Sequence, residues 1–407
     1  MKILLATYWL IPHVGGVWKY MTQIQQRLEA MGHQVDLLGN SPDYSKFHII
    51  NRGREISKEW IRPFAVTKLA GEYAPQLHAD PLIHYYEMDR YMLELSAAYF
   101  GLDQYDVIHT QDIFAARSIA RVKPPHVPLI VQVHGSVTGE LHNHFRMNPQ
   151  LGINEHSPAW KYFPSIEYRG ASSGNATITS TQWQKNLLVR DFGIPEHRIS
   201  VFQYGIDTQD FWQKAQMGTD VLRPPDKKVI ICPARLSFVK GIDVLISALG
   251  ILKSMRQQDW VCWIVGDGDK RDELRNQTNA LALQDDVLFF GERHDIPALL
   301  LQSDIFVHSC LQDNQPFSVM EAQIAGLPAC VSNAGGLPEM VQHGVTGLVS
   351  PVKDPLTLAQ HLNTLLGNGE YRRMLGQNAA GWGQQHWSLD QMIARLLNEY
   401  ARVASGA

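Results

Sequence analysis

Cysteine is scarce in this 407-residue chain: Cys232, Cys262, Cys310 and Cys330 are the four it has. Each sits singly in an apolar run such as "VIICPA", "WVCWIV" or "LPACVS", without metal-site or disulfide spacing, so they read as reduced core residues of a cytosolic protein. Charge of one sign is also missing. The 36 Lys and Arg stand against 40 Asp and Glu, leaving no field for nucleic acid and pointing to a small-molecule partner. No run nears the ~20 apolar residues that span a bilayer. The opening "MKILLATYWLIP" carries one Lys and no small-residue cleavage site, and is expected to be a buried first strand rather than a signal peptide. The sequon Asn175-Ala176-Thr177 then has no role. Residues 46–68 hold Lys46, Arg52, Arg54, Lys58, Arg62 and Lys68, diluted by Glu55 and Glu59. They predict a mixed-charge surface whose contact with a membrane is at most peripheral.

What the chain has is alternation. Short apolar runs alternate with helix-period segments, the pattern of parallel sheets wrapped by helices, and the length suggests two domains. The fold class expected is α/β, with two doubly wound Rossmann-like domains. Strands are expected at "KILLAT", "QVDLLG", "YDVIHT", "PLIVQVHG" and "ATITST", then at "VIICPA", "WVCWIVG", "VLFFG", "DIFVHS", "PACVS" and "GLVSP". The Pro- and charge-rich "MGTDVLRPPDKK" marks the boundary. Expected domains are 1–207, 208–385 and a terminal helix at 386–407 packing back toward the first. Residues 136–170, rich in Trp160, Tyr162, Phe163 and Tyr168, break the rhythm and read as an irregular acceptor-binding loop. Open sheets place ligands at the C-terminal ends of their strands, so the two domains are expected to face each other across a cleft.

Several motifs fall at those strand ends. In "PHVGGVWKY", Gly15 and Gly16 precede a helix, and either let a backbone approach a ligand or form a turn with positive φ. "VHG" puts His134 at the end of an inner strand, as a satisfied core residue or a cleft residue. "PARLSFVKG" sets Arg235 and Lys240 where two cations suit a diphosphate whose charge grows as a bond to it breaks. "VGDGD" contains the D-x-D of Asp267 and Asp269, read as turn and cap chemistry rather than a metal site. His142 and His144 near His134 lack the carboxylate or cysteine that would complete a metal set. No metal is expected. "NAGGLPEMV" offers Gly336 before another helix. In "DNQPFSVMEAQIAGLP", Ser318 and Glu321 form the S-x-x-E of a capping box, which by itself would explain Glu321.

Taken in order, "GGV", "HG", "YGID", "RLSFVKG", "VGDGD", "GER", the D(x)7E stretch, "AGGLPE" and "GVTGLV" resemble glycosyltransferase family 4, the retaining, nucleotide-sugar-dependent enzymes of the GT-B fold. The resemblance spans nearly the whole chain. It implies transfer of a hexose-type sugar from a UDP- or GDP-sugar co-substrate to a small-molecule, glycan or lipid-linked hydroxyl acceptor, without metal or other cofactor. Arg235 and Lys240 would hold the donor diphosphate, Glu321 the ribose hydroxyls, and Asp313 the sugar hydroxyls. His134 would lie beside the reacting carbon. Gly15, Gly16, Gly336 and the amides of Phe317, Ser318 and Val319 would approach phosphate or sugar. The first acid of the family's pair is usually Glu, so Asp313 is one methylene short. A nucleotide-sugar epimerase or hydrolase of the same fold, or a non-catalytic sugar-nucleotide-binding subunit, would share these features.

Overall fold

A computed structural model describes residues 1–406 except Val14, Tyr73, Ala79, Gln257 and Gln258. The chain divides into two compact units, Met1–Phe202 with Gln391–Ala407, and Gln203–Asp390. Unit 1 is built on an eight-stranded sheet of order β4-β3-β2-β1-β5-β6-β7-β8. Its strands are β1 Lys2–Leu10, β2 Gln34–Asn40, β3 Lys46–Ile49, β4 Arg54–Ser57, β5 Val107–Thr110, β6 Leu129–Val133, β7 Ala176–Thr179 and β8 Ile199–Val201. All neighbours are parallel except β2–β3 and β3–β4. Its core joins Leu4, Ile108, Leu129 and Val131 of the strands to Leu93, Phe114 and Phe163 of the covering helices.

Unit 2 carries β9 Lys228–Pro233, β10 Trp260–Val265, β11 Val287–Phe289, β12 Ile305–His308, β13 Ala329–Ser332 and β14 Gly347–Ser350. They pair in parallel in the order β11-β10-β9-β12-β13-β14. That order reverses direction between β9 and β12, and such a switch point leaves a crevice at the strands' C-terminal ends. Ile230, Cys232, Cys262, Ile264, Val307 and Cys330 lie in one core cluster, so three of the four cysteines fill that core and all four are buried and reduced. Both faces of this sheet are covered, which is why its strands read as unbroken apolar runs.

The structure corrects one expectation and adds elements that the sequence did not reveal. Residues 46–68 form the antiparallel hairpin of β3 and β4 followed by the helix Lys58–Lys68. Its Lys46 pairs with Glu55 at 2.6 Å and Arg52 with Asp36 at 2.5 Å. The supposed irregular loop at 136–170 is mostly helical, with helices at Val137–Met147 and Pro158–Ala171. Pro164 sits inside the second of these, and Phe163 is fully buried in the core. The strand β8 was not anticipated. In the terminal helix Leu389–Ala404, Tyr400 is buried beside His109, their Oη and Nδ1 atoms 2.8 Å apart. No helix among the described residues is long and apolar enough to cross a membrane.

Candidate active site

In unit 2 the chain leaves β9 through Arg235 and makes a short 3-10 turn, Phe238–Lys240. Gly241 ends that turn at φ +59, and a Cβ there would stand 2.2 Å from the Ser309 carbonyl. Only glycine allows so close an approach, and it holds Lys240 against the end of β12. The Leu311 amide donates to the Val239 carbonyl at 2.8 Å, closing the same seam. Asp313 comes next, and its Oδ2 receives Lys240 Nζ at 2.5 Å and His308 Nε2 at 2.9 Å. Its Oδ1 accepts the Asn314 amide at 3.0 Å. Burial alone would raise the Asp313 pKa, but Lys240 and His308 outweigh it and hold the carboxyl well below the usual range. Burial likewise works against the Lys240 charge, and Asp313 more than restores it. Arg235 is exposed and close enough to Lys240 to oppose its charge, and it has no ion-pair partner among the described residues.

The glycine loop completes this edge. Gly335 adopts φ +57 with its Cα so near the Asp313 backbone that a Cβ would lie 1.8 Å from the carbonyl oxygen. The Gly336 amide donates to that same oxygen at 3.0 Å. Gly336 then leads into the short helix Leu337–Met340. Thus Lys240, Asp313 and Gly336 meet at the switch point. His308 joins them and was missed in the sequence, although it ends a strand in "DIFVHS" just as His134 comes after one in "VHG".

The capping box does not form. The helix is Phe317–Ile324 with Pro316 as its N-cap and no side-chain cap, so Ser318 is its second residue and Glu321 its fifth. Pro316 sets φ at −68° and starts the helix two residues earlier than Ser318 would. The Val319 amide donates to the Pro316 carbonyl at 3.2 Å and is therefore already engaged. The Phe317 ring is buried and stacks on Tyr204, centroids 5.6 Å apart. Gln315 Oε1 accepts the Tyr204 amide at 2.8 Å, so "YGID" is tied to the start of this helix.

Asp267 does turn and pairing work. Its Oδ1 accepts the Gly268 amide at 2.8 Å and its Oδ2 meets Arg271 at 3.0 Å. Cβ atoms at Gly266 and Gly268 would stand 2.1 and 2.4 Å from the carbonyls of Ala234 and Leu236, so this loop underlies the one bearing Arg235. His308, Cys310 and Asp313 place possible metal-binding atoms within 4.8 Å of one another. The ammonium of Lys240 already occupies the shared carboxylate oxygen, and burial pushes the Cys310 thiol up and keeps it protonated. A cation held by these three groups would have to displace the Lys240 ammonium from Asp313.

Around His134, unit 1 gathers neutral groups, with Asp112 beside them held by Thr7 and the Tyr8 amide at 2.8 and 2.7 Å. Gln111 fixes His134: its Nε2 donates to the His109 carbonyl at 3.2 Å, so its Oε1 accepts from His134 Nε2 at 3.0 Å. Tyr20 packs edge-on to His134 at 5.0 Å and donates to Gln132 at 3.2 Å. Burial, with His109 nearby, pulls the His134 pKa down to about 3, so the ring is neutral at working pH. Gln111 was missed because nothing in "YDVIHTQD" separates an orienting glutamine from a loop residue. Gly15 and Gly16 are exposed at the start of the helix Gly16–Ala30, whose N-cap supplies no side-chain hydrogen bond. Gly15 is extended at φ 167°, so a turn with positive φ is not its reason for being glycine. His142 stacks on Trp160 at 3.7 Å with its Nε2 2.9 Å from that residue's carbonyl.

Comparison with known proteins agrees with this architecture. The family model described as Glycosyltransferase Family 4 matches residues 14–210, and the one described as Glycosyl transferases group 1 matches residues 215–382. An uncharacterised glycosyltransferase of Methanocaldococcus jannaschii is 25% identical over 412 residues, covering 98% of each chain. The GDP-mannose-dependent alpha-(1-6)-phosphatidylinositol monomannoside mannosyltransferase of Mycobacterium tuberculosis is 26% identical over 59% of this chain and 66% of that one. Among solved structures, sucrose-phosphate synthase of Thermosynechococcus elongatus superposes with a TM-score of 0.74 at 17% identity, covering 100% of both chains. Anabaena HepE in complex with UDP gives 0.68 at 20%, covering 99% of this chain and 100% of that one. At such identities these structures show the shared two-domain GT-B fold.

Proposed function

The chain belongs to glycosyltransferase family 4, and we propose that it transfers a hexose-type sugar from a UDP- or GDP-sugar to a hydroxyl acceptor with retention of configuration and without a metal. The observation that carries this reading is the joining of Lys240 and Asp313 at the switch point of the unit 2 sheet, walled by Gly335 and Gly336. An ammonium has three donors, so Lys240 can keep Asp313 and still reach a phosphate oxygen. Arg235 adds a second cation. Negative charge grows on the diphosphate as the sugar leaves, and preplaced cations stabilise that charge more than the ground state. They supply what a divalent metal supplies elsewhere.

In this reading Asp313 grips the sugar hydroxyls, Glu321 the ribose, and the amide of Ser318 the phosphate or sugar, while the Gly336 amide, already given to the Asp313 carbonyl, holds Asp313 in place. Gly15 and Gly16 open a helix N-terminus to anionic or hydroxyl groups. His134, neutral and oriented by Gln111, lies beside the reacting carbon as a hydrogen-bonding group rather than an acid. The leaving phosphate takes the acceptor's proton on the face from which the acceptor attacks, so the protein positions the partners and needs no base of its own. Relatives whose names state a donor include the GDP-mannose-dependent M. tuberculosis enzyme and an Escherichia coli UDP-Gal-dependent galactosyltransferase. Both act by name on lipid-linked acceptors, which supports a glycan or lipid-linked acceptor here, with membrane contact at most peripheral and catalysis on the cytoplasmic side.

Thermal shift across free nucleotides and their sugar conjugates tests the reading. A ligand at 100 times its Kd stabilises by about 2.7 kcal/mol, so one nucleoside diphosphate and its sugar conjugate raise Tm selectively. If no nucleoside diphosphate or nucleotide sugar raises Tm, the assignment fails.

A further inference from the structure

Unit 1 contains a polar cavity away from the strand ends that carry His134 and Gly16. It measures about 390 Å³ and lies among the helices Lys58–Lys68, Pro81–Phe100, Ile113–Val122 and Pro158–Ala171. Arg121 and Arg169 lie in the last turns of helices that lead into β6 and β7, which puts them toward the opposite edge of the sheet. The size falls within the ~300–1,000 Å³ range of small-molecule sites.

Its charge is unbalanced. Lys68, Arg90, Arg117, Arg121 and Arg169 all line it. Glu87 and Glu94 meet Arg90 at 2.7 and 3.0 Å, Glu94 also meets Arg121 at 2.9 Å, and Tyr162 donates to Glu87 at 2.7 Å. Both carboxylates are thus spent on Arg90 and Arg121. Lys68, Arg117 and Arg169 have no ion-pair partner among the described residues. Lys68, Arg121 and Arg169 sit in last helical turns, where the macrodipole favours cations. Arg117 has no such support. It stands mid-helix, half-buried, and burial together with Arg121, Arg90 and Arg169 disfavours its charge. Like charges gathered in a partly enclosed space repel one another, and an anion entering that space turns the repulsion into attraction.

We propose that this cavity binds a phosphate-bearing organic molecule. Arg117, Arg169, Arg121 and Lys68 hold its phosphate or diphosphate group, and the attached group lies against Tyr91 and Ile166. Planar guanidiniums grip phosphate through paired N–H donors, which a lone surface lysine cannot do. The site is distinct from Arg235 and Lys240, which belong to unit 2.

Inorganic pyrophosphate, titrated calorimetrically into full-length protein, is the probe. The donor residues are silenced by Arg235→Gln with Lys240→Gln or, in wild-type protein, by saturating nucleoside diphosphate. Pyrophosphate binds in a salt-dependent manner, and Arg117→Gln with Arg169→Gln weakens it by about tenfold or more. Without any anion the same pair of substitutions raises Tm, since it removes repulsion, whereas arginines kept for packing would lower it. Cosedimentation with phosphatidylglycerol–phosphatidylcholine vesicles separates two sources of the phosphate. Loss of cosedimentation in the Arg117→Gln/Arg169→Gln protein identifies a lipid headgroup. Loss of pyrophosphate affinity with no vesicle binding by either protein identifies a soluble ligand. Pyrophosphate affinity unchanged by the two substitutions, or no binding of either probe, overturns the proposal.

Discussion

The groups gathered around His134 and around Lys240, at the C-terminal edges of the two sheets, are of opposite kinds. In unit 1, His109, Gln111, Gln132, His134 and Tyr20 form a neutral hydrogen-bonded set, with Tyr400 of the terminal helix joining at His109. In unit 2, Lys240, Asp313 and Arg235 bring charge to the edge, with glycines at 241 and 335 where any side chain would collide with backbone. Two similar folds have thus been given different chemistry by the loops at the ends of their strands. A charged edge suits a diphosphate. A neutral edge suits hydroxyl groups that must be placed without being ionised.

The largest expected effect breaks the charged edge directly. Lys240→Ala lowers the turnover of sugar transfer by about 10²–10³-fold, read under saturating donor, while near-normal turnover would remove Lys240 from the mechanism. Next is the wall behind Asp313. Gly335→Ala incurs roughly 1–2 kcal/mol for its left-handed backbone and roughly 1–3 kcal/mol for overpacking. By moving Asp313 it costs about 10²-fold in rate. Gly152 also has positive φ, at +68°, but nothing lies within 4 Å of its added Cβ. Gly152→Ala therefore shows the backbone strain alone, and equal melting losses for the two substitutions would dismiss the wall.

Acidification sharpens the contrast more gently. His134 has its pKa lowered to about 3 in the fold from an ordinary 6.5. Unfolded chains therefore take up the proton first, and the stability tied to this residue falls as pH drops from about 6.5 toward 3. Asp313 is depressed below its ordinary 3.8, so its contribution is complete above that value and is lost only at lower pH. His109 carries the same penalty in unit 1, and in unit 2 burial also lowers His308, though Asp313 opposes that lowering. Hydrogen exchange from pH 7 to 4 should therefore show unit 1 loosening more than unit 2, and the reverse order would contradict the assignment. The smallest effect is at Asp267, whose partner Arg271 is about as exposed as itself. Asp267→Asn shifts stability within about 0.5 kcal/mol and leaves transfer intact, and a chelator does the same. Loss of transfer in chelator, restored by Mn²⁺, would return Asp267 and Asp269 to the site.

Much of this contrast was legible in the amino-acid order. The strands of unit 2 were readable because burial on both faces leaves unbroken apolar runs. Arg235, Lys240, Asp313 and Gly336 were readable because they come just after those strands. The β3–β4 hairpin was not, since "KFHI" and "REIS" are short, half-polar edge segments. The helices within 136–170 were hidden by Pro149, Pro158 and Pro164, although a proline near a helix start is well tolerated and one inside can be overridden by packing. Pro316 misled in the other direction, because it served as the N-cap that Ser318 seemed to be. His308 was visible as a strand-end histidine, yet its bond to Asp313 depends on how the loop returns, which no spacing reports.

The central claim is that the charged edge of unit 2 holds the donor through its diphosphate. Calorimetric titration of wild-type and Lys240→Ala protein with the preferred nucleoside diphosphate and with its parent nucleoside addresses it directly. The account predicts that the diphosphate binds wild type about tenfold or more tightly than the nucleoside, and that Lys240→Ala removes most of that advantage while nucleoside affinity stays unchanged. A diphosphate advantage of the same size in both proteins would contradict it.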